Sequence, residues 1–94
     1  MAIIGTMVKQ PAEVLDYDID FSSWLPNDFI VSATVTATPA TNLAIDSFGV
    51  FDQTWVKIWL SGGADGVKYK VEVTATTDDG RVKQAEFYVS VKES

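Results

Sequence analysis

The stretch YKVEVTAT, residues 69–76, alternates apolar and polar side chains without a fault, and this period of two constrains the fold more than any other feature of the chain. Successive side chains of a β-strand point to opposite faces, so such a run has one greasy face and one wet face, which the longer helical repeat cannot produce. Tyr69, Val71, Val73 and Ala75 are expected to face a core, with Lys70, Glu72, Thr74 and Thr76 in water. The pattern recurs in LDYDIDF, where Leu15, Tyr17, Ile19 and Phe21 face in and Asp16, Asp18 and Asp20 face out. In FIVSATVTAT the inward set is Phe29, Val31, Ala33, Val35 and Ala37. In TWVKIWLS it is Val56, Ile58 and Leu60, and in VKQAEFYVSV it is Ala85, Phe87, Val89 and Val91, with Glu86, Tyr88 and Ser90 outward. Weaker strands are expected over Leu43 to Ile45 and over Ser47 to Phe51.

Turn chemistry separates these runs. Pro39 has no amide to give a ladder, so the strand before it must end there. SGGADG reads as a loop, and TDDGR as a hairpin turn with Gly80 the left-handed residue. SSWLPND is expected to turn tightly, so that Trp24 and Leu25 plug one end of the core. Residues 1–8 are expected to be loose. About seven short strands, the last two in a long hairpin, predict an all-β domain over residues 1–94, an immunoglobulin-like β-sandwich. Tyr69 opens the penultimate strand just after a glycine-bearing loop. It is either a corner tyrosine, its hydroxyl bonded back to upstream backbone, or an ordinary core tyrosine.

Composition excludes several kinds of chemistry. The chain has no cysteine and no histidine, which removes disulfides, thiolate nucleophiles, zinc-thiolate sites and the usual general base. A net charge of −6 repels phosphate backbones and anionic membrane surfaces, so neither nucleic acid nor membrane is an expected partner. MAIIGTMVKQ lacks a basic leader region and reaches Lys9 too soon for a signal sequence. No run approaches the ~20 apolar residues of a membrane helix. A soluble protein made in the cytoplasm is expected.

Three constellations could carry chemistry. Asp16, Asp18 and Asp20 are spaced like the start of a calcium loop, but counting from Asp16 puts Phe21 where the sixth position needs glycine and Asn27 where the twelfth needs glutamate. The same aspartates lie ~6.5 to 7 Å apart along a strand face, a distance seen between glycosidase carboxylates, yet exposed acids of ordinary strength make poor general acids. SGGADG is followed by the strand sequence VKYKV rather than by a Lys-Ser or Lys-Thr pair opening a helix, so it is no phosphate loop. No catalytic residue, metal or cofactor is expected. Trp55 and Trp59 flank Lys57 on the outward parity of their strand. They either form an exposed binding surface, for protein or for a sugar ring, or simply pack.

The segments KQPAEVLDYDIDFSSWL, IWLSGGADGVKYKV and TTDDGR together resemble the phage fiber-tail adaptor proteins, small immunoglobulin-like proteins of tailed phages and prophages. The positions that carry the resemblance are Lys9, Pro11, Leu15, Asp16, Tyr17, Asp20, Ser22, Trp59, Leu60, Ser61, Gly62, Gly63, Gly66, Tyr69, Gly80 and Arg81. It spans residues 9 to 92. Phe21 and Val35 stand where the family pattern has tryptophan. The resemblance implies a non-enzymatic component of the virion tail, made in the bacterial cytoplasm, that bridges tail and fiber. Its partners would be other tail proteins, and a homo-oligomer in the assembled virion is compatible with that role. The contrasting reading is a stand-alone module that holds a carbohydrate on Trp55 and Trp59.

Overall fold

The period-two segments form strands, and the differences from expectation arise where a bulge resets the period. The computed structural model describes residues 2–93. Among them the strands are β1 (Ala2–Lys9), β2 (Leu15–Asp20), β3 (Ile30–Thr38), β4 (Leu43–Phe51), β5 (Trp55–Gly62), β6 (Lys68–Thr77) and β7 (Val82–Val91), with a 3-10 turn over Ser22–Trp24. They make two sheets, a four-stranded one in the order β1-β7-β6-β3 and a three-stranded one in the order β2-β5-β4. Neighbouring pairs are antiparallel except β1 and β7, which run parallel.

The two sheets share one core. Val56, Ile58 and Leu60 of β5 and Tyr69, Val71 and Val73 of β6 are all 0 % exposed, as their alternation requires. Burying an aliphatic side chain of this size contributes about 1.5–3 kcal/mol, so Leu60→Ala would cost about 2–5 kcal/mol once the cavity is included. Tyr17 of β2 meets Phe87 of β7 with ring centroids 5.4 Å apart, which ties one sheet to the other. Phe21 and Leu25 are buried at one end of the core, and Trp24 packs edge-on to Phe21 at 5.4 Å. The SSWLPND segment packs buried Leu25 and partly buried Trp24 against the core there.

Residues 1–8, expected to be loose, are instead largely taken up by β1, which pairs with β7. A register shift between Ile3 and Thr6, around Gly5, breaks the alternation that would have marked this segment as a strand. Lys9 ends β1 fully buried, and its ammonium donates to the carbonyls of Gln10 at 2.9 Å and of Gly62 in β5 at 2.6 Å. Burial pushes its pKa down from the ordinary lysine value. This side chain fastens the edge of one sheet to the end of a strand in the other.

The two weak strands expected over Leu43 to Ile45 and Ser47 to Phe51 are one strand, β4. A register shift at Asp46 lets it keep pairing with β5 on both sides of the irregularity. Phe29 and Val31 do not face in: they are 39 % and 55 % exposed, while Ile30 is buried. The shift between Ile30 and Ser32 reverses the parity there, and only from Ala33 onward do odd positions of β3 pack on the core. Glu86 keeps its outward parity but is buried all the same, because it lies on a central strand, flanked by Glu72 of β6 and paired with Ile3 of β1.

Candidate functional site

The outer face of the three-stranded sheet is built as three cross-strand rows. Asp20, Trp55 and Phe51 form one, Asp18, Lys57 and Gly49 the next, and Asp16, Trp59 and Ser47 the third. The parity that buries Val56, Ile58 and Leu60 therefore puts Trp55, Lys57 and Trp59 outside together. Trp59 is 39 % exposed, whereas Trp55 is half-buried with its ring 5.8 Å from that of Phe51. One tryptophan packs and the other faces solvent.

Lys57 occupies the centre. Its ammonium lies 3.0 Å from an Asp16 carboxylate oxygen and 3.4 Å from one of Asp18, and 5.4 Å from the centre of the Phe51 ring. Donation from Lys57 holds the Asp16 carboxyl below its usual range, and donating to that carboxylate raises the lysine in turn. Both partners are exposed, so the pairing fixes geometry more than it adds stability. Gly49 offers no side chain opposite Lys57. The gap becomes the floor of a depression of about 250 Å³ lined by Phe48, Val50, Phe51, Lys57 and Trp59. Asp20 is used differently: its carboxylate accepts the Ser22 amide at 2.8 Å at the start of the 3-10 turn, and hydrogen bonding from Ser22 lowers its pKa.

Tyr69 is buried, and its hydroxyl makes two bonds. It donates to the Thr41 carbonyl at 2.9 Å and accepts from the Ala64 amide at 2.9 Å, which joins the β3–β4 turn to the loop before β6. Gly80 has φ +87° in the β6–β7 turn, where its amide bonds the Thr77 carbonyl at 3.0 Å. Gly62 has φ +72°, and a Cβ there would lie 2.5 Å from the Asn42 carbonyl oxygen. Lys83 places its ammonium 4.9 Å over the Trp24 ring.

A second polar cluster escaped sequence reading. The Asp28 carboxylate accepts from Arg81 at 2.8 Å and from the amides of Phe29 and Asp79 at 2.8 and 3.3 Å, while its side chain is 1 % exposed. Burial alone would raise this acid, but bonds from Thr77, Arg81 and the two amides outweigh it and hold the pKa at about 2. The cluster pins the start of β3 to the β6–β7 hairpin. Among the described residues no group of three or more His, Cys, Asp or Glu could hold a metal ion, and no helix is long and apolar enough to cross a membrane.

These features make a rigid, aromatic-bearing, charge-paired surface on a cross-braced scaffold. A search of curated proteins found no match. The family model described as podophage GP4 fiber-tail adaptor protein gp77 matches residues 9–90, from the buried lysine of β1 nearly to the end of β7, and the chain belongs to that family.

Proposed function

We propose that the chain is a non-enzymatic structural protein of a phage or prophage tail that bridges tail and fiber through protein–protein contacts. The observation that carries this reading is the family match across residues 9–90, which takes in both sheets. Its architecture is read as an immunoglobulin-like sandwich. Support comes from the strand order, with the third, sixth and seventh strands in one sheet and the second, fourth and fifth in the other, and from the twice-bonded hydroxyl of Tyr69 at the start of the penultimate strand. The outer face carrying Trp55, Lys57 and Trp59 serves as one contact surface, since a rigid aromatic with a pre-paired charge loses little freedom on docking.

The test is reconstitution from separately purified tail and fiber proteins of the same particle. A three-component complex, measured by mass, is expected only when this chain is added. Direct tail–fiber binding in its absence, or binding of the chain to neither, would refute the bridging role. The depression beside Trp59 and Lys57 favours a second reading, a site for a carbohydrate ring stacked on Trp59. A glycan array in which Trp59→Ala abolishes a wild-type signal would support that reading.

A further inference from the structure

The four edges of the two sheets are protected unequally. On one side of the sandwich, β2 carries Asp16, Asp18 and Asp20 along its whole length, and like charges of this kind keep strands of other chains from adding to an edge. On the other side lie β3 and β4, brought together by the turn over residues 39–42 and by the Ile30 amide bonded to the Gln53 carbonyl at 2.7 Å. β3 has no charged residue, and β4 has one, Asp46. That aspartate sits at the bulge, at the end of the edge segment rather than along it, and accepts a bond from the Ser61 hydroxyl at 2.9 Å.

Beyond the bulge, Ser47–Phe51 is an uncharged edge segment paired only with β5 on its inner side. Phe48 is 45 % exposed and Val50 36 %, and Val31 of β3 is exposed on the same side. A five-residue window of this kind is ~17 Å long, enough for main-chain pairing with an extended segment. The charges at its ends tell what can occupy it. Asp46 stands at one end, and Asp52, exposed in the turn, at the other. Two copies paired antiparallel about Gly49 would match Phe48 with Val50 but would set Asp46 of each opposite Asp52 of the other, between chains that each carry −6.

We propose that the Ser47–Phe51 edge of β4 receives an extended strand from a different protein of the tail or fiber, apolar in its middle and basic at both ends. The proposal rests on the adaptor reading and names the edge by which that bridging is made. Gly49 supplies the means of testing it, because nothing lies within 4 Å of a Cβ built there and its φ is not in the left-handed region. Gly49→Lys therefore has room for its side chain, and although it stands across from Lys57 it places on the edge the charge that native edges use to prevent strand addition.

The experiment measures hydrogen exchange of the full-length chain alone and with each separately purified tail and fiber protein, beside binding by wild type, Gly49→Lys and the double variant Asp46→Lys, Asp52→Lys. Expected are slowed exchange of the 47–51 amides with one of those proteins, and binding weakened by about tenfold or more in both variants while each keeps a cooperative unfolding transition like that of the wild type. Protection elsewhere, with Gly49→Lys binding as wild type does, would overturn the edge assignment and leave the adaptor reading standing. Protection of 47–51 in the chain alone, rising with its concentration, would overturn it in favour of self-pairing. Failure of every tail and fiber protein to bind would overturn the adaptor reading and the edge assignment together.

Discussion

Tyr69→Phe and Tyr17→Phe each remove one hydroxyl from the same core, and the two changes should act in opposite directions. The Tyr69 hydroxyl serves two backbone groups at 2.9 Å each, and each such bond contributes about 1 kcal/mol net. Thr41 is exposed and Ala64 half-buried, so water can reach the freed carbonyl and amide in part. The loss should therefore stay near about 2 kcal/mol rather than the full desolvation penalty of two orphaned groups. For a domain of this size that lowers the melting temperature by about 8–16 °C. The Tyr17 hydroxyl, by contrast, is buried with no hydrogen-bond partner among the described residues. Removing it leaves the ring on Phe87 and relieves a buried unpaired group, so the variant should match the wild type or gain up to about 1 kcal/mol. Urea denaturation of the three proteins, with equal slopes confirming a common unfolding transition, is the assay. A Tyr69→Phe loss below about 0.5 kcal/mol, or a Tyr17→Phe loss above about 1 kcal/mol, would refute the reasoning from partner counts.

Three further outcomes follow from the same geometry. Asp28 has a folded pKa of about 2, below the ordinary carboxylate value, so its stabilisation is complete above about pH 4 and is lost as pH falls toward about 2; denaturation midpoints of wild type and Asp28→Asn should converge over that interval, and parallel curves would contradict the assignment. Asp16→Ser, Asp18→Ser and Asp20→Ser combined should leave the melting temperature within a few degrees while light scattering rises with concentration, because the first two pair with an exposed lysine and serine can replace Asp20 as an acceptor for the Ser22 amide; unfolding of a monomeric triple variant would show that an aspartate is structural. Gly62→Ala forces a left-handed alanine against the Asn42 carbonyl and should cost about 2 kcal/mol or more by denaturation, and a neutral result would mean that β5 can shift away from that carbonyl.

Alternation made β2, β5, β6 and β7 legible, since each keeps its parity from end to end. Legibility failed where parity changes inside a segment: at Ile30/Ser32, which exposes Val31, at Ile45/Ser47, which joins two apparent strands, and at Ile3/Thr6, which hides β1. A bulge is one extra residue, and of these three only the one around Gly5 has a residue type that hints at it. The shared parity of Trp55, Lys57 and Trp59 was readable from β5 alone, but whether the two rings pack or face solvent was not. Their neighbours were not readable either, because pairing Lys57 with Asp16 and Asp18 depends on cross-strand register between segments some forty residues apart. The Asp28–Arg81 cluster was hidden for the same reason, with partners 53 residues apart joined only when β3 meets the β6–β7 hairpin.

The central claim is that this chain bridges tail and fiber, and electron microscopy of particles assembled without it tests that claim most directly. Deleting its coding sequence should give particles with normal heads and tail shafts but no fibers, and supplying the intact chain during assembly should restore them. Fibers at wild-type occupancy on the deletion particles would contradict the account.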